Sequence, residues 1–127
     1  MSTASPRRIL IVDDERIVAD TLSLVFKTKG YEVTTAYDAE SALVLSQSLR
    51  PEVVIADVML PGMNGIAFAI LMRATYPNCH LLLISGDPAT GDVLRDAEAQ
   101  GHTFEMVAKP CHPSELLARV NATSAPD

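Results

Sequence analysis

Short apolar stretches recur along the chain, separated by longer segments in which apolar residues return every three or four positions. Arg8 to Val12, Glu32 to Thr35, Val53 to Ala56 and Leu81 to Ile84 are rich in β-branched and aliphatic residues, and Thr103 to Ala108 is a weaker fifth. Runs of this kind, without polar alternation, suit central parallel strands covered on both faces.

The intervening segments carry helical spacing. In the first, Val18, Leu22, Val25 and Phe26 share one face, and Gly30 supplies a stop. In the second, Asp38 is a candidate N-cap, Ala39, Ala42, Leu43 and Ser46 line one side, and Pro51 ends the helix. The third begins near Asn64-Gly65 and stops before Pro77, and the fourth runs from about Ala89 to Gln100, with Gly91 weakening its first turn. In the last, Pro113 suits the first helical position and Glu115 its first turn, followed by Leu116, Leu117 and Val120. Strand and helix alternate five times, which predicts an α/β fold with a doubly wound sheet. Right-handed crossovers leave few topologies, and at this size the expected one is a flavodoxin-like (βα)5 sheet in strand order 2-1-3-4-5. One domain over residues 1–127 follows, with a core at about 7–121 and flexible ends at 1–6 and 122–127.

In such a sheet, ligands bind beyond the carboxyl ends of the strands, where strand order reverses. The residues that fall there are Asp13, Asp14 and Glu15 after the first strand and Asp57 after the third. Ser85 and Gly86 follow the fourth, and Lys109 and Pro110 the fifth. Strands one and three are neighbours in the expected order, so the acidic pair comes beside Asp57. Two like charges about 4 Å apart repel by roughly 4 kcal/mol at an effective dielectric of 20, so the cluster needs a cation. Hard oxygen donors favour Mg²⁺, which takes one or two protein carboxylates together with phosphate oxygens. Lys109 adds a fixed positive charge and Ser85 a hydroxyl. Acids, a divalent ion, one lysine and one small hydroxyl suit a phosphoryl group. No Gly-rich phosphate loop accompanies them, so a nucleotide is not the natural ligand.

Bulk composition narrows this further. The 127 residues are 48% hydrophobic and 20% charged, an ordinary globular balance. The net charge of −6, with only isolated basic pairs such as Arg7-Arg8, argues against nucleic-acid binding by this domain. No apolar run approaches the roughly 20 residues of a membrane helix, and the opening MSTASPRR lacks a signal-peptide core, so a cytoplasmic location without membrane contact is expected. Cys79-His80 and Cys111-His112 superficially resemble a metal site. Cys79 opens one strand and Cys111 follows the next, which places them at opposite ends of the sheet, on the order of 15 Å apart. Reduced thiols are the expectation, with Cys111 a small buried hydrophobe rather than a redox sensor.

Four segments bring a family into view: ILIVDDE at 9–15, VVIADVMLPGMNG at 53–65, LLLISGD at 81–87 and VAKPCHPSELLARV at 107–120. In this order, each at a strand end, they resemble the signature segments of response-regulator receiver domains, over nearly the whole chain. The resemblance implies that Asp57 accepts a phosphoryl group from a histidine kinase or phosphotransfer protein. It implies that Asp14 ligates Mg²⁺ directly, Asp13 mostly through water, and Met59 by its backbone carbonyl. Lys109 would pair with the phosphoryl oxygens, Pro110 would follow a cis peptide bond, Ser85 would be the switch hydroxyl, and Gly65 would relax the turn into the third helix. Such a domain is a phosphoacceptor that catalyses only its own phosphorylation and dephosphorylation, and it meets a downstream partner through the fourth helix, fifth strand and fifth helix.

Two departures stand out. Met106 occupies the position, three before the lysine, where receivers often carry Tyr or Phe; Phe104, on the same strand face by period two, could partly substitute. Met59 cannot orient a water near the phosphate, whereas Asp87 could. Two other readings stay open at this point. A small phosphatase with an aspartyl nucleophile would place a second Asp two residues beyond the first, whereas Asp13 and Asp14 are adjacent. An interaction module that is never phosphorylated would tolerate Met106 but has no use for the acid, lysine and hydroxyl set.

Overall fold

The strands form where consecutive side chains can be buried on alternate faces. In the computed structural model, which describes residues 7–86 and 90–122, the order is β1 (Arg8–Val12), α1 (Arg16–Thr28), β2 (Glu32–Ala36), α2 (Ala39–Leu49), β3 (Val53–Asp57), α3 (Gly65–Thr75), β4 (His80–Ser85), α4 (Thr90–Ala99), β5 (Glu105–Ala108) and α5 (Pro113–Ala122). All pairings are parallel, in order β2-β1-β3-β4-β5, as expected. Of the ends expected to be flexible, only Ala122, the last residue of α5, falls among the described residues.

Period two divides the core. Ile9, Ile11, Val53, Ile55, Leu82, Ile84 and Val107 point to one face, where Leu22 and Phe26 of α1 and Leu116 and Val120 of α5 cover them. Leu10, Val12, Val54, Ala56, Leu81 and Leu83 point to the other, against Ala42 of α2, Phe68 and Met72 of α3 and Ala97 of α4. The three central strands are therefore buried on both sides. At the sheet edge, β2 is different: Glu32 is exposed and Val33, Thr34 and Thr35 are half-buried, so its expected two-sided cover is incomplete.

Local chemistry sets the helix ends. Asp38 caps α2, accepting from the Ser41 N–H at 2.6 Å, and Asn64 caps α3, accepting from the Ala67 N–H at 2.8 Å. Gly30 closes α1 at φ +94. α2 ends before Pro51 as expected: it stops at Leu49, and Arg50, the residue preceding the proline, leaves the right-handed helical region with φ 50.

Gly65 is needed for a reason other than turn flexibility. A Cβ there would lie 2.1 Å from the Asp57 carbonyl oxygen and 2.8 Å from the Val58 Cα, and its N–H donates to the Val58 carbonyl at 2.9 Å. The glycine lets α3 start directly against the end of β3. Gly65→Ala is therefore expected to destabilise the fold by about 3 kcal/mol, since rigid backbone must move to admit a methyl; the midpoint of urea unfolding checks this.

Candidate functional site

Parallel pairing in register brings four strand ends to one edge. Val12 lies beside Ala56 and Asp57 beside Ile84, so Asp13, Asp57 and Ser85 emerge from adjacent strands. Asp13 and Asp57 are buried, at 2% and 5% exposure, while Asp14 is exposed. Ligand oxygens of Asp13, Asp14 and Asp57 all lie within 4.8 Å of one another. Asp14 and Asp57, with Glu15, Met59, Gly86 and Lys109, line a cavity of about 310 Å³.

Lys109 enters from β5, and its Nζ donates to Asp57 Oδ2 at 2.6 Å. The same nitrogen lies 3.5 Å from Asp13 Oδ2 and 3.5 Å from Glu15 Oε1. Burial alone would lower the Lys109 pKa, but the hydrogen bond and charge of Asp57, with the charges of Asp13 and Glu15, outweigh it and hold the pKa above its ordinary value. The lysine is thus a permanent cation. Gly86 makes room for its stem, since a Cβ there would sit 3.1 Å from Lys109 Cβ and 3.4 Å from Cδ. The Lys109 N–H donates to the Ser85 carbonyl at 2.7 Å, and the Lys109-Pro110 peptide bond is cis. Ser85, at the end of β4, is half-buried.

Backbone donors fix the carboxylates. Asp57 Oδ1 accepts from the Met59 N–H at 2.9 Å, and Asp13 Oδ1 from the Glu15 N–H at 2.9 Å. Glu15 is the N-cap of α1 and makes no side-chain cap bond, so neither Asp13 nor Asp14 is the cap residue itself. The sequence places Glu15 at this strand end but assigns it no part; the structure adds its contact with Lys109. Its signal is its place directly after the acid pair, but its reach to Lys109 depends on the turn into α1.

Asp13 Oδ2 is buried and makes no hydrogen bond; Lys109 at 3.5 Å is close enough only for charge attraction. Burial raises the Asp13 pKa, with Asp57 and Glu15 adding to the effect, while the Glu15 N–H and Lys109 pull it down. An orphaned carboxylate oxygen beside two further carboxylates is a hard, under-neutralised donor set, and it fits a divalent cation of the Mg²⁺ kind. No helix among the described residues is long and apolar enough to cross a membrane.

The two cysteines lie on opposite faces of the sheet. Cys79 precedes β4 and packs against the α2–α3 side, and Cys111 follows β5 and packs against the α1–α5 side. Burial pushes the Cys79 thiol up to about 12 and raises that of Cys111, so both stay protonated near neutrality. Met106 is half-buried on β5, on the face that includes Leu83, Ala97 and Phe104. Phe104 precedes β5, with the Arg73 guanidinium 4.2 Å from its ring centroid and the His102 ring stacked at 6.4 Å. Its ring is engaged just before the start of β5, the end away from Ser85. Asp87 lies outside the described residues.

Comparison with known proteins follows from this geometry. Residues 9–121 match the model of the response regulator receiver domain family. The chain is similar to the DNA-binding response regulator MtrA of Mycolicibacterium smegmatis, 36% identical over 91% of this chain and 50% of that protein. It is also similar to the probable transcriptional regulatory protein TcrX of Mycobacterium tuberculosis, 34% identical over 92% of this chain and 49% of that protein. The chain thus spans about half the length of these relatives. Among solved structures, the chemotaxis response regulator CheY4 of Vibrio cholerae superposes with a TM-score of 0.77 at 29% identity, covering 92% of this chain and 98% of that one. A CheY-like receiver domain protein from Methanospirillum hungatei gives 0.83 at 24% identity over 93% of each chain, a likeness of fold.

Because burial raises the Asp13 pKa, the folded protein binds that proton more tightly than the unfolded chain. Ionised Asp13 therefore costs stability, and the cost grows as pH rises from the unfolded value, about 3.9, through the raised folded one. Asp13→Asn is expected to raise the metal-free melting temperature at neutral pH by roughly 3–5 °C. It should also shrink the stabilisation that added Mg²⁺ gives; thermal scans in chelator and in Mg²⁺ read both effects.

Proposed function

The chain belongs to the response regulator receiver domain family, and from that premise we propose that Asp57 accepts a phosphoryl group in a Mg²⁺-dependent reaction. The observation that carries this reading is the 2.6 Å contact of Lys109 with an Asp57 oxygen inside a trio of carboxylates whose ligand atoms lie within 4.8 Å of one another. Residues 7–121 form the working core of this single domain, and the donor is a histidine kinase or phosphotransfer protein. The domain turns over no external substrate beyond its phosphodonor; what it catalyses is its own phosphorylation and the later loss of that phosphate.

Asp57 supplies the attacking carboxylate, oriented by the Met59 N–H on one oxygen and Lys109 on the other. Asp13, Asp14, Asp57 and the Met59 carbonyl would hold Mg²⁺, which when bound supplies positive charge to phosphoryl oxygens. Lys109 moves its hydrogen bond from Asp57 to the incoming phosphoryl oxygens, keeping its charge throughout. Ser85 offers a hydroxyl to the same group. The added charge biases a pre-existing equilibrium in α4 and β5, and a downstream partner or output domain that contacts α4, β5 and α5 senses the difference. The net charge of −6 supports leaving nucleic-acid contact to other modules, and the family supports a cytoplasmic setting. At the relay position Met106 has no phenol to offer, so the coupling to Ser85 rests on apolar packing.

Acetyl phosphate with Mg²⁺ is expected to add one phosphate to the protein, visible in the intact mass. Asp57→Asn and chelator should each abolish it, and Lys109→Met should slow uptake about a hundredfold, the typical cost of losing one charge-stabilising donor. An unchanged mass for the wild type would refute the reading.

A further inference from the structure

The loop 59–64 joins β3 to α3 and carries the Met59 carbonyl assigned above to the metal. Near β3 its backbone bonds are local: Met59 N–H to Asp57 Oδ1 at 2.9 Å and Leu60 N–H to the Val58 carbonyl at 3.2 Å. At the other side, the Met63 N–H donates to Oε2 of Glu40, 3.3 Å away, in the first turn of α2. Gly62 permits the approach: its φ is +71, and a Cβ there would lie 3.1 Å from the same Glu40 oxygen. Leu60, 8% exposed, seats the loop in the core, and Glu40 supplies a polar anchor from a different element.

Glu40 is well founded for this. The α2 N-terminus is fixed by the Asp38 cap and by the burial of Ala39 and Ala42. An ionised acceptor makes a stronger bond to an N–H than a neutral one. Glu40 is exposed and is not among the carboxylates gathered at Lys109.

We propose that Glu40 is a positioning residue for the divalent-ion site, tethering the 59–64 loop so that the Met59 carbonyl stands where Mg²⁺ held by the aspartates would meet it. This rests on the Mg²⁺ reading of the Asp57 site. Mg²⁺ demands near-ideal octahedral geometry, so a loop that wanders loses affinity even though all carboxylates remain.

The test is a Mg²⁺ titration of the full chain followed by amide NMR shifts, with exchange of the Met63 amide measured before metal is added. Glu40→Ala should speed Met63 exchange and raise the half-saturating Mg²⁺ concentration about threefold to tenfold, the net worth of one typical hydrogen bond at an exposed site. Glu40→Gln keeps a weaker, neutral acceptor and should place both readouts between those of Glu40→Ala and the wild type. With acetyl phosphate, the Mg²⁺ requirement should move more than the maximal rate. Gly62→Ala crowds the tether from the loop side, should weaken Mg²⁺ in the same direction, and serves if Glu40→Ala does not fold. Unchanged Mg²⁺ affinity in Glu40→Ala despite faster Met63 exchange would overturn the proposal. So would a Gln variant as weak as Ala, since charge at a distance would then be acting. A wild type that shows no Mg²⁺-dependent shifts would overturn the underlying reading of the site, and the tether with it.

Discussion

The ammonium of Lys109 holds together a group of carboxylates that would otherwise drive one another apart. It lies 2.6 Å from Asp57 and 3.5 Å from both Asp13 and Glu15. One positive charge faces four carboxylates, Asp13, Asp14, Glu15 and Asp57, so the cluster keeps a net negative charge. Much of the local architecture serves this arrangement. Parallel strands deliver Asp13 and Asp57 side by side, Gly65 lets α3 start flush against the carbonyl of Asp57, and Gly86 leaves space for the lysine stem. The remaining deficit of positive charge leaves Asp13 buried with an unbonded oxygen. A cluster of this kind fits a divalent cation.

Under the proposed function, phosphoryl transfer redistributes these contacts. Lys109 is the link between the acid pocket and β5, and its backbone N–H is tied to the Ser85 carbonyl at the end of β4. Movement of its side chain toward a new anion therefore bears on the two strands nearest the α4 side. On that side Met106 packs against the core cluster that includes Leu83, Ala97 and Phe104. Arg73 and His102 flank Phe104 and hold it in place. The flexible, unbranched methionine is the side chain there best able to repack.

Much of this was legible along the chain, for physical reasons that differ by element. Central strands β1, β3 and β4 announce themselves because both faces are buried, whereas β2 reads less cleanly because its edge position exposes Glu32. The fifth run was drawn too long: β5 starts at Glu105, since Phe104 is engaged with Arg73 and His102 before pairing begins. Asp13, Asp57 and Lys109 could be placed from the rule that ligands sit at carboxyl ends of strands. The contact of Glu15 with Lys109 and the part of Glu40 could not, because they depend on how far a side chain reaches across a turn or between two elements. Gly65 was read as a flexible turn residue, when what it avoids is a collision with the Asp57 carbonyl.

Beryllofluoride with Mg²⁺ stands in for a phosphoryl group on a carboxylate, and its addition to isotopically labelled protein tests the central claim most directly. The account predicts amide shifts at Asp13, Met59, Gly86 and Lys109 that extend along β5 to Met106 and are lost in Asp57→Asn. Shifts that are absent, that persist in Asp57→Asn, or that bypass Lys109 would contradict it.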